Sequence, residues 1–253
     1  MNAEMPLYDW PGAAAFGRVI PKNKIYEHAG AKTGLKGIFV REVDQIVWTH
    51  KLAPETVNLA ATKQVAEIQV FRITARIPTL SVQVLRAIDK AIPFPLIFEV
   101  AYGDRVRLTA AYKRPSEADV ARWVVGDYFQ GKWLPADTPR NPIPVALNMG
   151  ALYERLLEPL VAVQMARLIP GMDETAPTPV TQAEAERSLS LEERIAQSEV
   201  IKAQAREVES IKARLRREKQ FNKRVVINAE LRAAKQELER LTTESRVAAI
   251  THE

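Results

Sequence analysis

The stretch VAEIQVFRITARIPTLSVQVLRAIDKAIPFPLIFEVAYGDRVRLTAAYKR, Val65 to Arg114, carries the fold in outline. From Val65 to Ile77 the residues alternate. Glu67, Gln69, Phe71, Ile73 and Ala75 fall on one face, and Ile68, Val70, Arg72 and Thr74 on the other, which predicts a strand. Leu80 to Ile92 then changes period: Leu80, Val84, Leu85, Ile88 and Ile92 share one helix face. PLIFEVAYG and DRVRLTAAYKR flank Gly103-Asp104, the signature of two strands joined by a tight hairpin. Working outward, Val43 to Leu52 alternates as a strand, and Pro21 to Gly30 reads as a short helix with proline at its start and glycine past its end. Asp119 to Pro135 suggests one or two strands. Ala146 to Ile169 suggests one or two apolar helices, with Pro159 at a joint or first turn. Runs of strands and helices with hairpins imply an α+β body over residues 1–170, built on a mixed or mostly antiparallel sheet with flanking helices.

Glycine and proline then stop. IPGMDETAPTPVTQ, Ile169 to Gln182, reads as a linker, with its proline-rich part at 171–182, and residues 183–253 as a helical arm rich in Ala, Glu, Arg, Leu and Lys. Ser188 or Ser190 can cap it, the latter with Glu193 three residues on. Ile201, Ala205, Val208, Ile211 and Leu215 form one apolar seam. Ile227, Leu231, Ala234, Leu238 and Leu241 form a second in a different heptad frame. The alternatives are a continuous helix with a frame shift or a hairpin near Phe221-Asn222. No glycine or proline marks a turn, which favours the continuous helix, about 80 Å long. Such an arm cannot bury both seams on its own body, so a partner chain or a second copy is expected to cover them.

The window from Ile211 to Arg224 is cationic. Lys212, Arg214, Arg216, Arg217, Lys219, Lys223 and Arg224 stand against one acid, Glu218. Three readings suit it: a solvated helix face, contacts to nucleic-acid phosphates, or an acidic protein partner. Phe221 is the one aromatic residue there, which gives base stacking thin support.

The remaining sequence offers few chemical handles. The chain has 253 residues, 47% hydrophobic and 26% charged, with a formal net charge of +5. That balance is compatible with nucleic acid and diagnostic of nothing. The absence of cysteine excludes disulfides, thiolate metal sites and thiol catalysis. MNAEMPLYDW is not a secretory leader, and the most apolar stretch, Leu156 to Ile169, is broken by Glu158, Pro159 and Arg167. A cytoplasmic protein without a membrane span is expected. GAKTG at Gly30–Gly34 is too short for a phosphate loop, and no Gly-x-Ser-x-Gly turn occurs. His28, His50 and His252 have no ligand spacing, so neither a metal nor another cofactor is expected. The one catalytic alternative is a nuclease subunit of the restriction type. Glu67 and Gln69 on one strand, with Asp44 or Glu55 upstream, would hold Mg2+. Lys51 to Leu59, with Pro54, Thr56 and Asn58, reads first as a structural turn.

Taken together, LYDWPGAAAFGRVIPKNKIYEHA, VDQIVWTHKLAPETVNL, EIQVF, IDKAIPFPLIFEV, AAYKR and EKQFNKRVVINAELR resemble the bacterial domain-of-unknown-function family 4391, from Leu7 to about Leu241. Its members are often encoded beside helicases and DNA methyltransferases of restriction or phage-defence loci. The resemblance therefore implies a role in a DNA-handling complex. With the two seams beside the cationic window, the expectation is an accessory subunit that docks a helicase or methyltransferase through the arm, and whose window can contact DNA phosphates. It assigns no catalytic residue. A homodimeric structural protein, paired through the arm, is the other alternative.

Overall fold

The structure, a computed structural model, describes residues 6–116, 118–119, 122–168 and 190–250, with side chains described to residue 245. The linker at 171–182, Ser188 and His252 lie outside the described residues. The elements in chain order are β1 (Leu7–Asp9), β2 (Ala15–Val19), α1 (Lys22–Ala29), α2 (Thr33–Glu42), β3 (Val43–Leu52), α3 (Pro54–Val57), β4 (Ile68–Ala75) and α4 (Val82–Ala91). There follow β5 (Leu96–Tyr102), β6 (Arg105–Pro115), β7 (Trp123–Gln130), β8 (Leu134–Pro135), β9 (Arg140–Pro142), α5 (Met149–Leu168), α6 (Leu191–Arg217) and α7 (Phe221–Ile250). The chain is α+β and forms two compact units, divided between Leu160 and Val161 within α5.

In the first unit the main sheet runs β2-β3-β4-β5-β6-β7, with β8 added beside β6. Neighbours are antiparallel except β4 and β5, which are parallel because α4 carries the chain back across the sheet. Val65 to Arg114 thus supplies strand, crossover helix and hairpin as its periodicity predicts. Gly103 takes φ 57° at the β5–β6 turn, a conformation open to glycine at little cost. Phe71, Ile73, Phe98 and Val100 pack beneath Val84, Leu85 and Ile88 of α4, Ile25 of α1 and Phe39 of α2. The opposite face is also closed, with Ile68, Val70, Ile97, Ala110 and Phe129 buried. Tyr112, which alternates with Ala111 and Lys113, stacks there on Tyr153 of α5 at 6.0 Å. Burial on both faces explains why β5 holds apolar residues at nearly every position, with Glu99 the exception.

Several boundaries differ from the sequence reading. Val65 to Glu67 precede β4. Helix α2 was not foreseen, because Gly34 and Gly37 weaken its helical signal; Phe39, fully buried, anchors it. Pro159 sits inside the single helix α5, at neither a joint nor a first turn. Strands β1 and β9 form a separate parallel pair, joining residues some 130 positions apart that no local pattern links.

The larger correction concerns the arm. Residues 190–250 form two antiparallel helices, α6 and α7, joined by Glu218, Lys219 and Gln220, in place of the favoured continuous helix. Ser190 and Glu193 make the expected capping box at the start of α6. The two seams lie in different frames because they belong to different helices that face each other. Val208, Ile211 and Leu231 are buried together, with Leu215, Ile227, Ala234 and Leu238 packed around them. Gln204 donates to the Ala234 carbonyl at 3.1 Å, and Arg214 pairs with Glu230 across the hairpin. Ile201 is buried and Leu241 half-buried. The seams therefore do not lie open along one helix: Val208, Ile211 and Leu231 are buried against each other, and Leu215, Ile227 and Leu238 are half-buried around them. The turn escaped the sequence reading because Glu218 is extended (φ −75°, ψ 128°), a conformation that needs neither glycine nor proline.

Candidate nucleic-acid interface

The hairpin gathers the cationic window at its tip. Arg216 and Arg217 end α6, Lys219 lies in the turn, and Lys223 and Arg224 belong to the first turn of α7; all five are exposed. Two other bases of the window are spent internally, Lys212 on Glu209 and Arg214 on Glu230. Arg216, Arg217, Lys219, Lys223 and Arg224 have no ion pair among the described residues. The single acid, Glu218, turns its carboxylate to the Gln220 amide at 2.8 Å, and that backbone bond holds it below the usual carboxylate range. The first turn of α7 contains no acidic residue, so Glu218, just before it, is the acid nearest in sequence to the positive end of its dipole. Phe221, Val225 and Val226 are 78%, 54% and 59% exposed among these charges.

The nuclease candidates divide. Asp44 pairs with Arg76 at 2.9 Å near the start of β3, seven residues from Lys51 and so roughly 23 Å along the strand. Glu67, Gln69 and Glu55 do converge, but on Lys51. Its ammonium lies 3.3 Å from Glu67 Oε2 and 3.3 Å from Glu55 Oε1, while Gln69 donates its amide to Glu67. Hydrogen bonds to Glu67 and then Glu55 raise the Lys51 pKa. The place between the two carboxylates is thus filled by a side-chain cation. Among the described residues no group of three His, Asp or Glu side chains is placed to hold a metal ion. Thr56 and Asn58 serve the turn: Thr56 Oγ1 donates to the Lys51 carbonyl at 2.8 Å and accepts from the Ala53 amide at 2.8 Å, and Asn58 adopts φ 55°.

Two buried charge networks in the first unit were missed. Lys113, 1% exposed, donates to the Asp89 carbonyl at 2.7 Å, Asp89 Oδ1 at 3.2 Å and the Ile92 carbonyl at 2.6 Å. It thereby caps the C-terminus of α4, while Tyr128 donates to the other Asp89 oxygen. Burial lowers the Lys113 pKa and raises that of Asp89; each charge opposes the other's shift. The signal lay in Lys113 sharing a strand face with Ala111. The second network holds the β1–β9 pair to the main sheet. Arg140 grips Glu99 with both nitrogens at 2.7 and 3.1 Å, Trp10 Nε1 donates to Glu99 at 2.7 Å, and Arg140 also reaches the Tyr8 carbonyl. An acid within the apolar run LIFEVAY was its trace in the sequence.

His50 borders this second network, its ring 6.2 Å from Trp10, and its Nδ1 is buried with no hydrogen-bond partner. Burial lowers its pKa; Glu99 and Asp9 oppose that shift and Arg140 adds to it. The folded state thus favours the neutral ring. As pH falls below the ordinary histidine value of 6.5, the unfolded chain takes up the proton first and stability declines. Urea unfolding of the wild type and His50→Phe between pH 7.5 and 5.5 should show a shallower decline in the variant. Parallel curves would contradict this.

The fold and its surface define an α+β protein with an attached, cationically tipped helical hairpin. The chain belongs to the family described as Domain of unknown function (DUF4391), whose profile matches residues 8–238, a span that includes both the sheet and the hairpin tip. No curated protein and no solved structure matches the chain. Among the described residues, no helix is long and apolar enough to cross a membrane.

Proposed function

We propose that the protein is a cytoplasmic accessory subunit of a bacterial DNA restriction or phage-defence complex, and that its hairpin tip contacts DNA phosphates. The observation that carries this reading is the set of five exposed cations with no ion pair, held within one turn and its flanking helix ends. The buried and half-buried cations Lys51, Lys113 and Arg140 are committed, to Glu67 and Glu55, to Asp89 and to Glu99. Exposed cations such as Lys32 and Lys63 also stand elsewhere, and the tip differs in gathering five within nine residues. The tip leaves its charge available, and phosphate contact needs only bases at reachable spacing. A helicase or methyltransferase, the partner class implied by the family resemblance, would supply the chemistry, and the chain would help to seat it on DNA. With the seams meeting each other, docking through the arm would use the outward faces of the hairpin.

A salt titration of binding to a duplex of mixed sequence tests the reading. If four or five phosphates are engaged, the logarithm of affinity should fall against the logarithm of salt concentration with a slope of about −4. Absence of binding, or affinity indifferent to salt, would overturn it.

A further inference from the structure

We infer that the tip takes DNA with unpaired bases, and that Phe221 is the platform on which one such base stacks. The inference deepens the phosphate reading above and rests on it. Phe221 opens α7 and is the most exposed residue of the tip's apolar group. The hairpin core passes it by. On α7 that core uses Ile227, Leu231, Ala234 and Leu238. At about 100° per residue, Phe221 and Val225 point about 110° and about 150° from the centre of this stripe and within about 40° of each other. They form an i,i+4 pair on the outward side, with Arg224 as the i+3 neighbour of Phe221. A flat ring and a branched aliphatic group on one helix face, with Arg224 three residues on and four further cations at the same tip, match a nucleobase between two phosphates.

The charge selects the class of occupant, and the aromatic face selects its form. A continuous duplex hides its base faces within the stack and presents edges and phosphates, so the five cations would serve it while Phe221 gained nothing. An unpaired base offers its π-face together with its phosphates and uses every exposed group at the tip. One aromatic residue supports a single stacked base, at a strand end or beside a duplex junction, rather than a tracked length of single strand.

The test compares the full-length wild type with Phe221→Ala, Phe221→Leu and Phe221→Trp. Each is titrated into a labelled 20-nucleotide single strand and a 20-base-pair duplex. The alanine variant should lose about tenfold in affinity for the single strand and keep its duplex affinity. Leucine, apolar but not flat, should behave as alanine does, and tryptophan should restore binding. An unchanged single-strand affinity, an equal loss on both ligands, or rescue by leucine would overturn the inference and leave the phosphate reading standing. Failure of the wild type to bind either DNA would remove both. Phe221 is outside the hairpin core, so helical content by circular dichroism should be the same in all four proteins.

Discussion

Replacing Arg216, Arg217, Lys219 and Lys223 together by glutamate should lower duplex affinity at least a hundredfold near physiological salt and nearly abolish the salt dependence of what remains. The four side chains are exposed and make no ion pair among the described residues, so they contribute nothing to the hairpin core. The variant should therefore keep the helical content of the parent. The size of the effect follows from counterion release: each base removed from a phosphate takes about 0.9 from the slope, and each acid introduced adds repulsion. The control reverses Lys32 and Lys63, exposed cations of the sheet unit. Loss of only a few-fold should follow there, reflecting net charge alone. Equal losses in the two proteins would mean that DNA responds to overall charge and that the tip has no special part.

The second large effect is on stability. Lys113→Met should destabilise the sheet unit by roughly 3–5 kcal/mol, the usual consequence of removing one partner of a buried ion pair. It would strip Asp89 of its counter-charge and the end of α4 of its cap. Asp89, already raised by burial, would meet this by taking up a proton, which limits the loss. Adding Asp89→Asn should recover much of the stability, because Tyr128 can still bond to the amide oxygen. All four tryptophans lie in this unit, at positions 10, 48, 123 and 133, so urea unfolding followed by their fluorescence reports on it directly. A single variant that loses less than about 1 kcal/mol would show that the ammonium is dispensable there.

What the sequence revealed and what it hid have physical reasons. Val43–Leu52 and Leu80–Ile92 were readable because a buried face imposes a period of two on strands and about 3.6 on helices, and the strands around Gly103 because a tight turn separates two apolar runs. Pairing β1 with β9 was not readable, because the segments meet through contacts distant in sequence. The hairpin was half visible. Both seams were identified residue by residue, and their mismatch in frame was the trace of two helices. The turn hid because Glu218 to Gln220 use backbone conformations open to any residue. The cationic window was evident as composition, but its gathering at a tip depended on that turn. Of the two upstream acids considered with Glu67 and Gln69, Glu55 lies near them, and the cross-strand register Lys51↔Gln69 explains why lysine sits among them. Asp44 was excluded by the same register, which places it at the other end of β3.

Hydrogen–deuterium exchange of the full-length protein with and without DNA tests the central claim most directly. A short oligonucleotide carrying both a duplex and an unpaired end should slow exchange in peptides covering residues 214–228. Peptides covering Lys51 to Leu59 and β4 should be unchanged. Protection at those body segments, with none across the hairpin turn, would contradict the account.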